Sequence, residues 1–343
     1  MAPLLAFLAA ALTLARALSA SGLVERVAFA LARRAHGRGL VLYVLVCALC
    51  AVLTAVVSLD GAVVLMIPLV SALARRYALP SSPYFLGVVA VANAASIAVP
   101  QGNPTNLVVI DRLGLSPLAF AEHMFLPGLA AATLCAAGVA VAFRGALGGG
   151  FGFGGGGRAG APPPPALSPV ERHAAASVAI AGAVAWTSPL LGIAPWWPFA
   201  AAVAATLALG PARRLPTVPW RTGVQVSGLL IGVSALVLPS LGSRVLSLPA
   251  LLAISAAVGA ISATANNLPV SVCVAGLLGV SGTAYAASIG LAVGALATPQ
   301  GSIATLIATD MAGPEVAAGL TRRLAPLAAV GLAVATTLMW LLL

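Results

Sequence analysis

Pro100-Gln101-Gly102-Asn103-Pro104-Thr105-Asn106-Leu107-Val108 closes one apolar run and opens another, and Pro299-Gln300-Gly301-Ser302-Ile303-Ala304-Thr305-Leu306-Ile307 does the same 199 residues later. A second interruption lies upstream of each. Ser58-Leu59-Asp60-Gly61 breaks the apolar stretch 40–73, and Thr264-Ala265-Asn266-Asn267-Leu268-Pro269 breaks the stretch 249–278. Asp60 aligns with Asn267 at an offset of 207, a longer offset that the loop around residues 75–83 absorbs. Two pairs of interrupted segments in the same order mark an internal repeat, and paired interruptions of this kind point to a transporter binding site.

The composition around these stretches excludes a soluble protein. Of 343 residues, 61% are hydrophobic and 7% are charged, against roughly 25% charged in soluble domains. Runs such as 40–57 and 324–343 are apolar on every face, which excludes an outer-membrane barrel with its alternating pattern. The chain reads as an all-α polytopic membrane protein. Its net charge of +10 would suggest nucleic acid in a soluble protein, but here the basic residues sit in short loops, where they set orientation. All 17 are Arg, so the Lys-containing phosphate loop of nucleotide hydrolases is absent. Cys47, Cys50, Cys135 and Cys273 lie inside apolar segments and read as packing residues, with no metal site or cofactor expected. An intramembrane enzyme would need a nucleophile and base at one depth, and no His falls in a membrane core.

Helical runs are expected at 3–19, 40–57, 61–73, 84–99, 104–110, 124–143, 174–190, 197–209, 223–241, 249–265, 270–278, 284–297, 303–309 and 324–343. The first segment lacks a basic leader and is expected to stay as a helix. Residues 1–143 form the first repeat, 144–172 a Gly- and Pro-rich flexible cytoplasmic linker, and 173–343 the second repeat with two extra helices. If each interruption at Asp60 and Asn267 is a re-entrant hairpin, and each at Gly102 and Gly301 a broken crossing helix, fourteen Arg fall on one face. Only Arg112 and Arg244 fall on the other. The positive-inside rule then makes the Arg-rich face cytoplasmic, puts both termini outside and inverts the second half relative to the first.

Irregular backbone at membrane depth is tolerated only where it is buried in protein or lines a watery cavity, so the four breaks should meet. The short polar and glycine residues at the breaks are Ser58, Gly61, Gly102, Asn103, Thr105, Asn106, Thr264, Asn266, Asn267, Thr298, Gly301, Ser302 and Thr305. They either line a substrate cavity or cap and glue the broken helices. Asp60 is the one acidic residue at a break. It reads as the coupling-ion residue, carrying a proton or ligating a cation, or as an N-cap of the half-helix that follows. No Arg lies at any break, which favours a neutral or weakly charged solute unless helix N-termini bind an anion.

These motifs resemble the arsenite/antimonite efflux permeases of the ion transporter superfamily, which includes the divalent anion:sodium symporters. Ala297-Thr298-Pro299-Gln300-Gly301-Ser302-Ile303-Ala304-Thr305-Leu306 is similar to that family's Thr-Pro-Ile-Gly-Ser-Leu-Ala-Thr-Leu-Leu, and Asn266-Asn267-Leu268-Pro269 to its Asn-Asn-Met-Pro. Asp60-Gly61-Ala62 with Pro68, and the stretch from Ser21-Gly22-Leu23 to His36-Gly37-Arg38-Gly39, extend the likeness. Leu59, Gln101 and Gln300 depart from the pattern, and neither hairpin tip has the Ser-Asn-Thr of the symporters. The resemblance implies two inverted repeats around one site, and arsenite or antimonite efflux by proton antiport across the inner membrane. It allows a separate ATPase subunit and a homodimer as partners besides the lipid bilayer. The alternative is a sodium- or proton-coupled transporter of a small organic or inorganic anion of the dicarboxylate, citrate or sulfate type.

Overall fold

The computed structural model describes residues 23–151, 247–278 and 281–343, with isolated positions between 166 and 204. The expected helices at 3–19 and 223–241, most of the linker, and most of 174–190 and 197–209 lie outside the described residues; the isolated described positions in the last two are helical. Within them all regular structure is helical, apart from one isolated bridge between Arg38 and Gly150.

The first half runs through α1 (Leu23–Ala35), α2 (Gly39–Val57), α3 (Leu59–Tyr77), α4 (Ser81–Ala95), α5 (Pro104–Leu113) and α6 (Pro117–Ala142). The second runs through α7 (Leu248–Ala265), α8 (Asn267–Leu277), α9 (Ser281–Ile289), α10 (Ile303–Ala312) and α11 (Leu320–Leu342). From α2 and from α7 onward the order is the same. A long helix meets a second at a sharp break. A third then runs into a 3-10 turn, passes a Pro-Gln-Gly turn, and gives way to a ten-residue helix and a long closing helix. The third helix ends in the 3-10 turn Ser96–Ala98 in the first half and, after a π-helical turn at Gly290–Gly294, in Ala295–Ala297 in the second.

Among the described residues, five helices are long and apolar enough to cross a membrane: Gly39–Val57, Ser81–Ala98, Pro117–Ala142, Leu248–Ala265 and Leu320–Leu342. Ser81–Ala98 is 89% buried, whereas the other four are 28–39% buried, so α4 is the central post and the others present outer faces. Val44, Val52, Leu129, Val141 and Val330 stand exposed on those faces, as lipid requires. Around α4 pack α2, α3 and α6, and α6 in turn carries α11. Arg323 at the start of α11 stacks 4.5 Å over the ring of Phe143 at the end of α6, so these two helices run antiparallel. Ala312 at the end of α10 shares a cavity with Ser81 at the start of α4.

Three features differ from the sequence reading. α1 is a helix where none is expected: Val24, Ala28, Leu31, Ala32 and Ala35 form a buried stripe at helical spacing, with Arg33 and Arg34 exposed. It lies on α2 and α3 as an amphipathic helix, too polar to register as a membrane run. The start of the predicted flexible linker is docked: Phe151 is buried, its N–H donates to Gly37 O at 2.8 Å, and its ring packs 5.4 Å from that of Tyr77. Finally, the hairpin breaks fall at Ser58 and Asn266, so the structural offset is 208. Asn267 then corresponds to Leu59, and Asp60 to Leu268 rather than to Asn267.

Candidate functional site

Each break is a place where one helix stops because its next residue leaves the α region, and another starts from a polar cap. Ser58 and Asn266 adopt φ of 99° and 72°, conformations that non-glycine residues rarely hold, and each turns the chain back on itself. The caps follow one rule. Ser58 Oγ accepts from Gly61 N at 3.5 Å and Asn266 Oδ1 from Leu268 N at 3.2 Å. Asn103 Oδ1 accepts from Thr105 N at 3.0 Å and Ser302 Oγ from Thr305 N at 3.1 Å. The extended residues before and after the Pro-Gln-Gly turns, Val99 and Asn103, Thr298 and Ser302, repeat the same backbone geometry in both halves.

All four new helices begin around one pocket. It is lined by Leu59 and Asp60 from α3, Asn103, Pro104 and Thr105 from α5, Asn267 and Leu268 from α8, and Ser302 and Ile303 from α10. The walls cross between halves, because α3 packs along α10 and α5 along α8. Each helix start leaves up to four N–H groups without an intrahelical acceptor and carries the positive end of a dipole. One cap satisfies only part of that demand, so the pocket is electropositive and rich in donors without any Arg. Water-accessible space inside is about 10 Å³, room for one water, so a larger solute requires the tips to part.

Asp60 is 3% exposed and sits in the first turn of α3. Among the described residues no cationic side chain pairs with it. It is therefore the one negative group in a cluster of helix N-termini, held where its charge must be balanced by those termini, a proton or a bound cation.

Of the residues singled out in the sequence, Asp60, Asn103, Thr105, Asn267 and Ser302 line the pocket, and Ser58, Thr305 and Asn106 are buried just behind them. Gly102 and Gly301 let the turns close: a Cβ on either would sit on the backbone carbonyl of Ser96 or Ala295. Gly61 packs against Val57. Thr298 and Asn266 brace the tips, the Thr298 hydroxyl donating to Ala263 O and Asn266 Nδ2 to Gln300 O at 3.1 Å. In the first half Gln101 Nε2 braces likewise, donating to Ala55 O at 3.3 Å. Thr264 does not join them. It is exposed, and its hydroxyl bonds back to Ala260 O and Ile261 O of its own helix.

Two residues behind the pocket escaped the sequence reading. Asn93 and Ser96 lie in the run 84–99, which reads as a plain apolar helix, yet both are fully buried. Ser96 Oγ donates to Asn93 O at 2.7 Å and accepts from Asn103 Nδ2 at 3.1 Å. Asn93 Nδ2 donates to Val89 O at 2.9 Å and, across to the other half, to Thr305 Oγ1 at 3.1 Å. The available signal was the cost of an Asn inside an apolar run, which by itself marks a functional position. Asn106 Nδ2 donates to Ser96 O and Val99 O, leaving its Oδ1 buried without a partner, as is Thr105 Oγ1 in the pocket wall.

A second cavity of about 180 Å³ lies at the far ends of α3 and α10. Arg75, Ser71 and Ser81 line it beside Phe85 and Val316.

Comparison with known proteins agrees with a carrier of this kind. A family model described as CitMHS, citrate transporter, matches residues 1–285, which takes in three of the four breaks. No curated protein matches the chain.

Proposed function

The chain belongs to the citrate transporter family and is a multi-pass membrane transporter, not an enzyme; we propose that it is a secondary carrier of a citrate-type anion, coupled to protons or sodium through Asp60. The observation that carries this reading is the meeting of four helix N-termini at one pocket, two of them capped by the pocket-lining Asn103 and Ser302. Carboxylates bind well at such ends, where N–H groups and the dipole both favour negative charge. The absent guanidinium, which in the sequence favours a weakly charged solute, is replaced by backbone.

The same charge logic supplies the coupling. An anion entering the pocket meets the Asp60 carboxylate at close range in a medium of low dielectric, so both cannot stay charged there. Neutralising Asp60 with a proton or a cation makes room for the anion, and the tips then part on the other side as the α3–α10 and α5–α8 pairs shift. The cycle runs on an ion gradient across the inner membrane. An ion gradient supplies the driving force without a separate ATPase. The arsenite/antimonite efflux reading keeps the same architecture but rests on motif likeness alone. Family membership and the N-terminal cluster favour the anion reading, which the sequence places second.

A binding panel tests this. Citrate, but not arsenite, is expected to raise the melting temperature of the purified protein and to compete with other tricarboxylates for it. Protection by arsenite without protection by citrate would reverse the assignment.

A further inference from the structure

We infer that Asn93 sets the direction of the hydroxyl protons at the α10 tip, and so commits Ser302 as a hydrogen-bond donor to the substrate's carboxylate; this rests on the anion reading above. Asn93 lies in the first repeat and Ser302 in the second.

The argument is a count of hydrogens. Asn93 Nδ2 lies 2.9 Å from Val89 O, and a backbone carbonyl only accepts, so the atom facing it is the amide nitrogen. Its second hydrogen goes to Thr305 Oγ1 at 3.1 Å. Thr305 Oγ1 is therefore an acceptor there; the 2.9 Å bond between it and Ser302 Oγ can run either way by distance alone, and because Ser302 Oγ is the one acceptor in reach of the Thr305 hydrogen, we assign that hydrogen to Ser302. Ser302 Oγ also accepts from Thr305 N at 3.1 Å. Both acceptor positions of Ser302 are then occupied, and its O–H is the group left over. Ser302 is 1% exposed and lines the pocket, so that hydrogen is the one it can offer to a bound oxygen. Two hydrogen bonds in series also polarise the last hydroxyl and strengthen it as a donor.

The α5 tip reaches the same result by another route, and Asn93 serves that one too. Ser96 Oγ spends its hydrogen on Asn93 O at 2.7 Å and accepts from Asn103 Nδ2 at 3.1 Å. Asn103 Oδ1 is used by Thr105 N at 3.0 Å, so one Nδ2 hydrogen of Asn103 remains for the pocket. Asn93 thus anchors one tip with its backbone carbonyl and the other with its side chain. Its counterpart 199 residues on is Ala292, which has no amide, so the tie runs one way between the halves. Asn93 is a positioning residue: it acts on the substrate through Thr305 and Ser302.

The test is a double-mutant cycle on citrate KM, measured by uptake into proteoliposomes, for Asn93→Leu, Ser302→Ala and the pair, with Thr305→Ser and Thr305→Val alongside. Losing a donor to a carboxylate is expected to raise KM about tenfold or more. The double variant should be no worse than the more severe single one, because Asn93 has nothing to orient once Ser302 lacks its hydroxyl. Thr305→Ser should stay near wild type, while Thr305→Val, which leaves the Ser302 hydroxyl in place but unoriented, should raise KM by less than Ser302→Ala does. Multiplicative effects in the double variant, or an unchanged KM in Thr305→Val, would overturn the relay and leave Asn93 as packing. If Asn93→Leu does not fold, the Thr305 and Ser302 variants decide by themselves. Lack of citrate uptake by the wild type would sink the substrate reading, and the relay with it. Uptake by the wild type with a failed cycle would sink the relay alone.

Discussion

In the proposed cycle Asp60 is the coupling residue, as the one acid among the residues lining the pocket, 3% exposed and unmatched by a cation among the described residues. Replacing it with Asn keeps the shape and mimics the neutralised state. Asp60→Asn is therefore expected to keep citrate exchange between loaded vesicles within about threefold of wild type, since the anion no longer meets a charge. Net uptake against a gradient should be lost. Comparing counterflow with gradient-driven uptake separates the two, and gradient-driven uptake that persists in the variant would remove Asp60 from the coupling role. At this scale the sequence is informative where polarity is out of place at a break. Asp60, Asn103 and Ser302 are legible in that way. Asn93 was legible only as a costly polar residue in an apolar run, and neither its face nor Ser96 was, because a single polar residue in a helical run gives no sign of where it points. Thr264 shows the converse: adjacent to a break in sequence, it turns out to solvent because it precedes the turn at Asn266 by half a helical turn and bonds its own backbone.

Among the elements, the breaks themselves are strict. The Pro-Gln-Gly turns close only because Gly102 and Gly301 bring backbone against the carbonyls of Ser96 and Ala295. Gly301→Ala is expected to force the turn open, costing about 1–3 kcal/mol as overpacking does and lowering the melting temperature in detergent. Gly276→Ala in α8, where a side chain meets open space, should be neutral or slightly stabilising by helix propensity. Equal behaviour of the two variants would contradict the packing of the turn. The existence of most described helices was readable from apolar runs, and their ends shift outward by up to seven residues, as for α6, which starts at Pro117 instead of 124. The cause is that interface residues such as His123 and Glu122 continue a helix beyond its apolar part. The amphipathic α1 was missed for a related reason, since half of its surface is polar and a search for lipid-spanning runs passes over it.

For the whole molecule, two halves of the same element order wrap one pocket, with each hairpin's second arm packed on the other half's broken helix. Motion of either half therefore reshapes the site shared by both, which is what alternating access needs. Orientation adds a test. With native cysteines replaced, Arg38→Cys and Arg322→Cys should react with an impermeant thiol reagent only from the cytoplasmic side, and Arg112→Cys only from outside; labelling of all three from one side would break the inverted arrangement. The four breaks were legible because their motifs are short and polar in an apolar chain. The proposed substrate was not, because helix dipoles that would bind an anion belong to the backbone and leave no charged side chain to read. The most direct measurement of the central claim is uptake of radiolabelled citrate into proteoliposomes carrying the wild-type protein, under an imposed proton or sodium gradient. Accumulation that collapses when the gradient is dissipated, and that arsenite does not inhibit, is the predicted result; gradient-driven arsenite movement with no citrate uptake would contradict it.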